Sequence, residues 1–314
     1  MELIYILTYD CNFRCKYCDI DKREEEISDS LLKSSINFLE KNDFDIDKVK
    51  FFWGEPLLKQ NYIKYIVDNF PTKYNPRFYT TTNSTLLNDN FIDFIKKNNF
   101  KLTFSIDWDA KTTSENRLLV NGKNLSEKII TNTKKYKDYI RVNQVITSKN
   151  SSVFFKNFKF IYDLWVREFN FLPEYYREWT KEWLQNLQKW FDEILKFKNN
   201  WNHFLLVNLE NYSETAFFNL WIVLDTTWKI YWTNLILSGI FEKYKNILEI
   251  WDIKKWLNID IKDKKFIIEY TEKINTCINK EYSNNILKSV KYVDLILNNF
   301  VYNWSLKDKK DVNK

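Results

Sequence analysis

Strand and helix signals alternate six times through the first half of the chain, and this alternation limits the fold more than any other feature. Short apolar runs stand at 3–9 (LIYILTY), 49–52 (VKFF), 77–82 (RFYTTT), 101–106 (KLTFSI), 140–147 (IRVNQVIT) and 166–172 (VREFNFL). Between them, apolar residues recur at helical spacing in 28–41, 57–69, 88–98, 124–137 and 153–164. In the first of these, Ser28 is a capping residue, and Leu31, Leu32, Ile36 and Leu39 share one face. Strands joined through helices of this length run parallel, because the crossover returns the chain to the starting edge of the sheet. The pattern predicts an α/β fold, either an open sheet or a partial barrel.

The second half reads differently. Residues 181–198 form an amphipathic helix pattern with Leu184, Leu187, Phe191, Ile194 and Leu195 inward. Residues 220–237 read as two strands around a turn at Asp225–Trp228. A helix-rich tail follows, clearest over 281–301, and the mixed-charge end KDKKDVNK reads as frayed and solvated. The expected division is a core over 1–175 and a smaller C-terminal α+β region over 176–314.

Three of the four cysteines, Cys11, Cys15 and Cys18, lie within eight residues, directly after the first apolar run. Core cysteines do not cluster in this way. The opening MELIYILTYDC has no basic stretch and no cleavage site, and no apolar run is long enough to span a bilayer. A cytoplasmic protein is therefore expected, in which thiols act as ligands rather than disulfides. C-x3-C-x2-C on one tight loop suits a cubane iron–sulfur cluster with one iron left without a protein ligand. Zinc bound by these three thiols and a fourth group, such as Asp19 or His203, is the alternative, as a structural protein. The net charge of +6 is spread along the chain, so no nucleic-acid partner is expected.

Further residues fall in register with this loop, and together they resemble the radical S-adenosylmethionine (radical SAM) superfamily. Tyr17 stands before the last cysteine; WGEP (Trp53, Gly54, Glu55, Pro56) follows the second strand; TTNS with Asn83 ends the third; SIDWDA, from Ser105 with Asp107, ends the fourth. The resemblance spans about residues 1–175. It implies a partial (β/α)6 barrel and a [4Fe-4S] cluster held by Cys11, Cys15 and Cys18. It further implies S-adenosylmethionine, whose amino group lies along Trp53–Pro56. Tyr17 would contact the adenine, and Asn83, Ser105 and Asp107 would line the ribose and carboxylate side. The implied reaction is reductive cleavage to a 5′-deoxyadenosyl radical, which abstracts hydrogen from the substrate. A reductant protein such as a ferredoxin or flavodoxin is implied, and so is a peptide or protein substrate. No catalytic residue acting on the substrate is assigned. The C-terminal region resembles that of the SPASM peptide-maturase branch without its auxiliary-cluster cysteines. Cys277 alone cannot hold a second cluster, and it reads as a buried small hydrophobe.

The chain holds three Gly, against about 22 at average usage, yet thirteen Trp. Trp53, Trp108, Trp165, Trp228 and Trp251 stand where a turn, a helix end or the family pattern calls for Gly. This is the pattern produced when UGA codons that a cell reads as glycine are translated as tryptophan. Trp179, Trp183 and Trp190 lie in or beside a helical pattern, where glycine would be unfavourable, and fall outside it. If Trp53 is genuine, the chain is expected to bind S-adenosylmethionine poorly, as a degenerate, non-catalytic relative.

Overall fold

The computed structural model describes residues 1–107, 113, 117–199, 202–210, 221–254 and 263–312. The sequence expectation for Trp108 lies outside them. The chain divides into two compact units.

The first unit comprises Met1–Arg14, Cys18–Leu102 and Phe217–Glu281. Its central strand, Glu2–Tyr5, runs parallel to Lys48–Phe51 on one side, with Leu3 opposite Val49, and to Ile222–Leu224 on the other, with Leu3 opposite Ile222. Lys48–Phe51 pairs in parallel with Arg77–Thr82. At the other edge the sheet turns antiparallel through Lys229–Tyr231 and Glu249–Asp252. The hairpin expected near 220–237 is thus present, and it extends the sheet beside the N-terminal strand.

Helices cover the parallel crossovers. Asp29–Lys41 starts at Ser28, whose Oγ accepts the Leu31 N–H at 3.2 Å. Asp89–Lys97 starts at Asn88, whose Oδ1 accepts the Phe91 N–H at 2.9 Å. Each cap satisfies an N–H group that the first helical turn leaves open. Leu31, Ile63, Ile66 and Phe91 on the helices and Ile4, Val49 and Phe51 on the strands are all essentially without exposure.

The second unit comprises Cys15–Tyr17, Thr103–Ala216 and Tyr282–Lys314. Ile140–Ile146 runs parallel to Glu168–Pro173, which pairs in parallel with Leu205–Leu206. Phe154–Asp163 and Lys181–Asn199 pack with the final helix, Asn284–Val312, around an aromatic core. There Phe191 stacks on Phe300 at 4.3 Å, and Trp304 is 1% exposed. That helix continues well past Val301, where the apolar stripe fades, so the charged end is helical through Val312 rather than frayed. The fourth strand, Phe100–Ser105, begins in the first unit and ends in the second.

The parallel β/α alternation read from the sequence is what the chain folds into, and the class is α/β. Among the described residues, no helix is long and apolar enough to cross a membrane.

Candidate active site

The cysteine loop leaves the C-terminal end of the first strand, where sites in parallel β/α folds assemble. Cys11 is buried, Cys15 and Cys18 are half-buried, and none is in a disulfide. The Cys11 N–H donates to Asp10 Oδ1 at 2.7 Å, and the Phe13 N–H points at Cys11 Sγ at 3.4 Å.

Two devices fix the strand-to-loop passage before Cys11. The first is a glycine. Gly54 has φ +54°, and a Cβ there would lie 2.3 Å from the Asp10 carbonyl oxygen and 2.5 Å from that of Thr8. Only glycine lets the Trp53–Pro56 turn lie against this backbone, and the Glu55 N–H then donates to Asp10 O at 2.9 Å. The second is a buried ionic group that sequence reading missed. Tyr9, 1% exposed, donates its hydroxyl to Asp225 Oδ1 at 2.9 Å. Lys245 Nζ donates to Tyr9 Oη at 2.8 Å and to Asp225 Oδ2 at 2.9 Å, and the Arg23 guanidinium lies 3.8 Å over the Tyr9 ring. Burial and the Asp225 charge hold the Tyr9 phenol protonated.

Glu55 is 1% exposed, and both of its oxygens are engaged. Oε1 accepts from the Leu57 N–H at 3.0 Å and from Thr82 Oγ1 at 2.6 Å, and Oε2 accepts the Asn83 N–H at 2.8 Å. Glu55 therefore ties the second strand's turn to the end of the third strand. Glu55→Gln keeps one acceptor oxygen and brings an NH2 group against a backbone N–H. It should cost about 1–3 kcal/mol in denaturant unfolding, whereas a change within error would mean that the carboxylate is not holding these donors.

Asn83 bonds back to the cysteine loop. Its Nδ2 donates to Asn12 Oδ1 at 2.8 Å, its Oδ1 accepts from Thr85 Oγ1 at 2.6 Å, and Asn12 Nδ2 donates to Thr85 Oγ1 at 3.0 Å. Asn12 was not singled out in the sequence. Beside it, Ser84 takes φ +66°, at the place where the family pattern has glycine after Asn.

In the second unit, Asp107 is 1% exposed and Arg117 is 5% exposed. Arg117 Nε and one terminal nitrogen each reach an Asp107 oxygen at 2.9 Å, a bidentate pair. The Tyr17 hydroxyl donates to the same carboxylate at 2.8 Å, and its ring centroid lies 5.2 Å from the guanidinium carbon. Burial, outweighing the opposing pull of Arg117, lifts the Tyr17 phenol well above its ordinary range. The other terminal nitrogen of Arg117 points at Cys15 Sγ at 3.9 Å. Ser105 ends the fourth strand, half-buried.

Among the described residues, no three Cys, His, Asp or Glu side chains are gathered into a metal-holding group. The donor chemistry nevertheless fits an iron–sulfur cluster. Three thiols lie on one short loop, outside disulfides, one of them beside a fixed cation. His203 is exposed, and so is Asp19, whose backbone oxygen accepts the Gly239 N–H at 2.8 Å. The bulk of Trp53, at the turn nearest this loop, does not fit the small residue the family pattern has there. Cys277 is 2% exposed, and burial raises its thiol. It should resist iodoacetamide in the native protein and react on unfolding; rapid native labelling would show it to be accessible.

Residues 5–155 match the family profile of the radical SAM superfamily. The chain is 31% identical over 193 residues to a cysteine-type anaerobic sulfatase-maturating enzyme of Clostridium novyi, covering 54% of this chain and 50% of that protein. It is 25% identical over 122 residues to the radical SAM cyclopropyl synthase TigE of Paramaledivibacter caminithermalis, covering 32% of this chain and 26% of that protein. The chain thus spans about half, or less, of the length of these relatives. Among solved structures it resembles native anSMEcpe with bound AdoMet and the Kp18Cys peptide, with a TM-score of 0.75 at 15% identity, covering 98% of this chain and 99% of that one. It also resembles Streptococcus suis SuiB bound to the precursor peptide SuiA, with a TM-score of 0.61 at 13% identity, covering 91% and 75% of the two chains. These likenesses establish the fold.

Proposed function

We propose that this chain, whose residues 5–155 match the profile of the radical SAM superfamily, is a radical SAM enzyme acting on a peptide or protein. The observation that carries this reading is the C-x3-C-x2-C loop, Cys11, Cys15 and Cys18, at the end of the first strand of a β/α fold. In this reading the three thiolates hold one [4Fe-4S] cluster, and S-adenosylmethionine binds beside it. Bound together, the two supply a 5′-deoxyadenosyl radical, which takes a hydrogen atom from the substrate.

The chain's own residues position and shield. Gly54 and the Tyr9–Asp225–Lys245 group hold the backbone that leads into Cys11. Glu55 and the Asn12–Asn83–Thr85 bonds fasten the same region to the end of the third strand. Asn83 and Ser105 would line the ribose and carboxylate side of S-adenosylmethionine, and the Tyr17 ring would meet its adenine. Asp107 spends both oxygens on Arg117 and Tyr17, so its contribution is to fix that guanidinium beside Cys15.

A peptide substrate is supported by the fold shared with structures solved with the Kp18Cys peptide and with SuiA. A ferredoxin or flavodoxin would supply the electron. Because the chain has one cysteine beyond the cluster loop, Cys277, the reaction would proceed without auxiliary clusters.

The test is anaerobic reconstitution with iron and sulfide, followed by reduction with S-adenosylmethionine present. A brown protein that forms 5′-deoxyadenosine is expected. A colourless protein that retains zinc and forms none would overturn the proposal.

A further inference from the structure

Five non-glycine residues among those described have left-handed φ, and three of the five are tryptophan: Trp53 at +87°, Trp165 at +69° and Trp228 at +69°. With 13 tryptophans in 314 residues, chance would place far fewer than one there. A left-handed φ brings Cβ against the following carbonyl, and a bulky side chain gains nothing in return.

Each of the three sits where the backbone itself calls for glycine. Trp165 follows the helix Phe154–Asp163 and its cap Leu164, and its N–H donates to Tyr162 O at 2.9 Å. That bond is the inner one of a Schellman cap, whose left-handed residue is usually glycine. Its indole is 66% exposed, so packing does not explain its presence. Trp228 closes the hairpin loop that starts at Asp225, whose N–H donates to Lys229 O at 3.0 Å. Hairpin loops of this kind end on a left-handed glycine. Trp53 precedes Gly54, so two left-handed residues stand in succession, and its indole Nε1 is buried without a hydrogen-bond partner.

Two other tryptophans behave as tryptophans should. Trp179 Nε1 donates to Glu174 O at 2.9 Å, and Trp304 packs against Phe204 at 4.8 Å. Trp251, expected from the sequence to share the pattern, lies in a strand opposite Ile230, edge-on to Phe38 at 4.9 Å, and its φ is not left-handed. It leaves the set.

We propose that positions 53, 165 and 228 carry glycine in the protein that the cell makes, their codons being UGA read as glycine. Position 53 bears on function. Resting on the reading of this site given above, glycine there clears the turn that would lie along the amino group of S-adenosylmethionine.

The experiment reads the three codons and then sequences, by mass spectrometry, peptides of the protein isolated from its own cells. UGA is expected at 53, 165 and 228, and UGG at 179 and 304. The peptides covering the three sites should be lighter by the difference between tryptophan and glycine. UGG at any of the three positions, or tryptophan in its native peptide, overturns the assignment there. Neither result depends on cluster binding, so failure here is distinct from failure of the proposed activity.

Discussion

Arg117→Met is expected to destabilise the protein by about 3–5 kcal/mol, the cost of leaving a buried charge without its partner. Asp107 and Arg117 are buried and joined bidentately, and the nearest other donor to the carboxylate is the neutral Tyr17 hydroxyl. A methionine of similar length fills the space but leaves the carboxylate facing an apolar chain. The double variant Arg117→Met with Asp107→Asn removes both charges and keeps an acceptor for Tyr17. It should recover much of the loss, because the penalty arises from the orphaned charge rather than from lost packing. Denaturant unfolding of the two variants checks this. Equal losses in the single and double variants would mean that the guanidinium matters for its bulk alone.

Trp165→Gly should raise stability. A left-handed L-residue costs roughly 1–2 kcal/mol, whereas glycine returns about 0.5–1 kcal/mol of that through the greater freedom of the unfolded chain. The exposed Trp165 indole forfeits little packing, so the balance there favours glycine. Trp228→Gly follows the same argument with a smaller gain, since that residue is half-buried whereas Trp165 is exposed. Trp304→Gly is the contrast. It removes a buried aromatic and introduces glycine into a helix, and should cost about 3–5 kcal/mol, as large core truncations do. Chemical denaturation of the three variants decides the matter. If Trp165→Gly is the less stable form, the strain argument fails at the position where it is cleanest.

The strands, the first-half helices and the cysteine loop were legible because they are local signals. The runs at 77–82 and 101–106 sit within a residue of the observed strands, Arg77–Thr82 and Phe100–Ser105. Residues that act through distant partners left no such trace. Tyr9 and Asp225 are 216 positions apart, and nothing in either neighbourhood announces the other. Arg117 carries only a faint signal. The chain has far more Lys than Arg, and in such a composition an arginine suggests a task that a point charge cannot do. Arg117 binds Asp107 bidentately, and Arg141 does the same to Glu210 at 2.9 and 3.3 Å. The tryptophans were readable for a different reason. Turn geometry demands glycine irrespective of context, so a wrong residue stands out from the sequence alone.

The account rests on three thiolates that hold a cluster whose remaining iron is open to S-adenosylmethionine. Its most direct test is the electron paramagnetic resonance spectrum of the reduced, anaerobically reconstituted protein, recorded for the chain as written and for Trp53→Gly. The Trp53→Gly protein should give a reduced [4Fe-4S] signal that changes shape when S-adenosylmethionine is added, and a variant with all three loop cysteines replaced by alanine should give none. A signal indifferent to S-adenosylmethionine in both proteins, or no iron bound by either, would contradict the account.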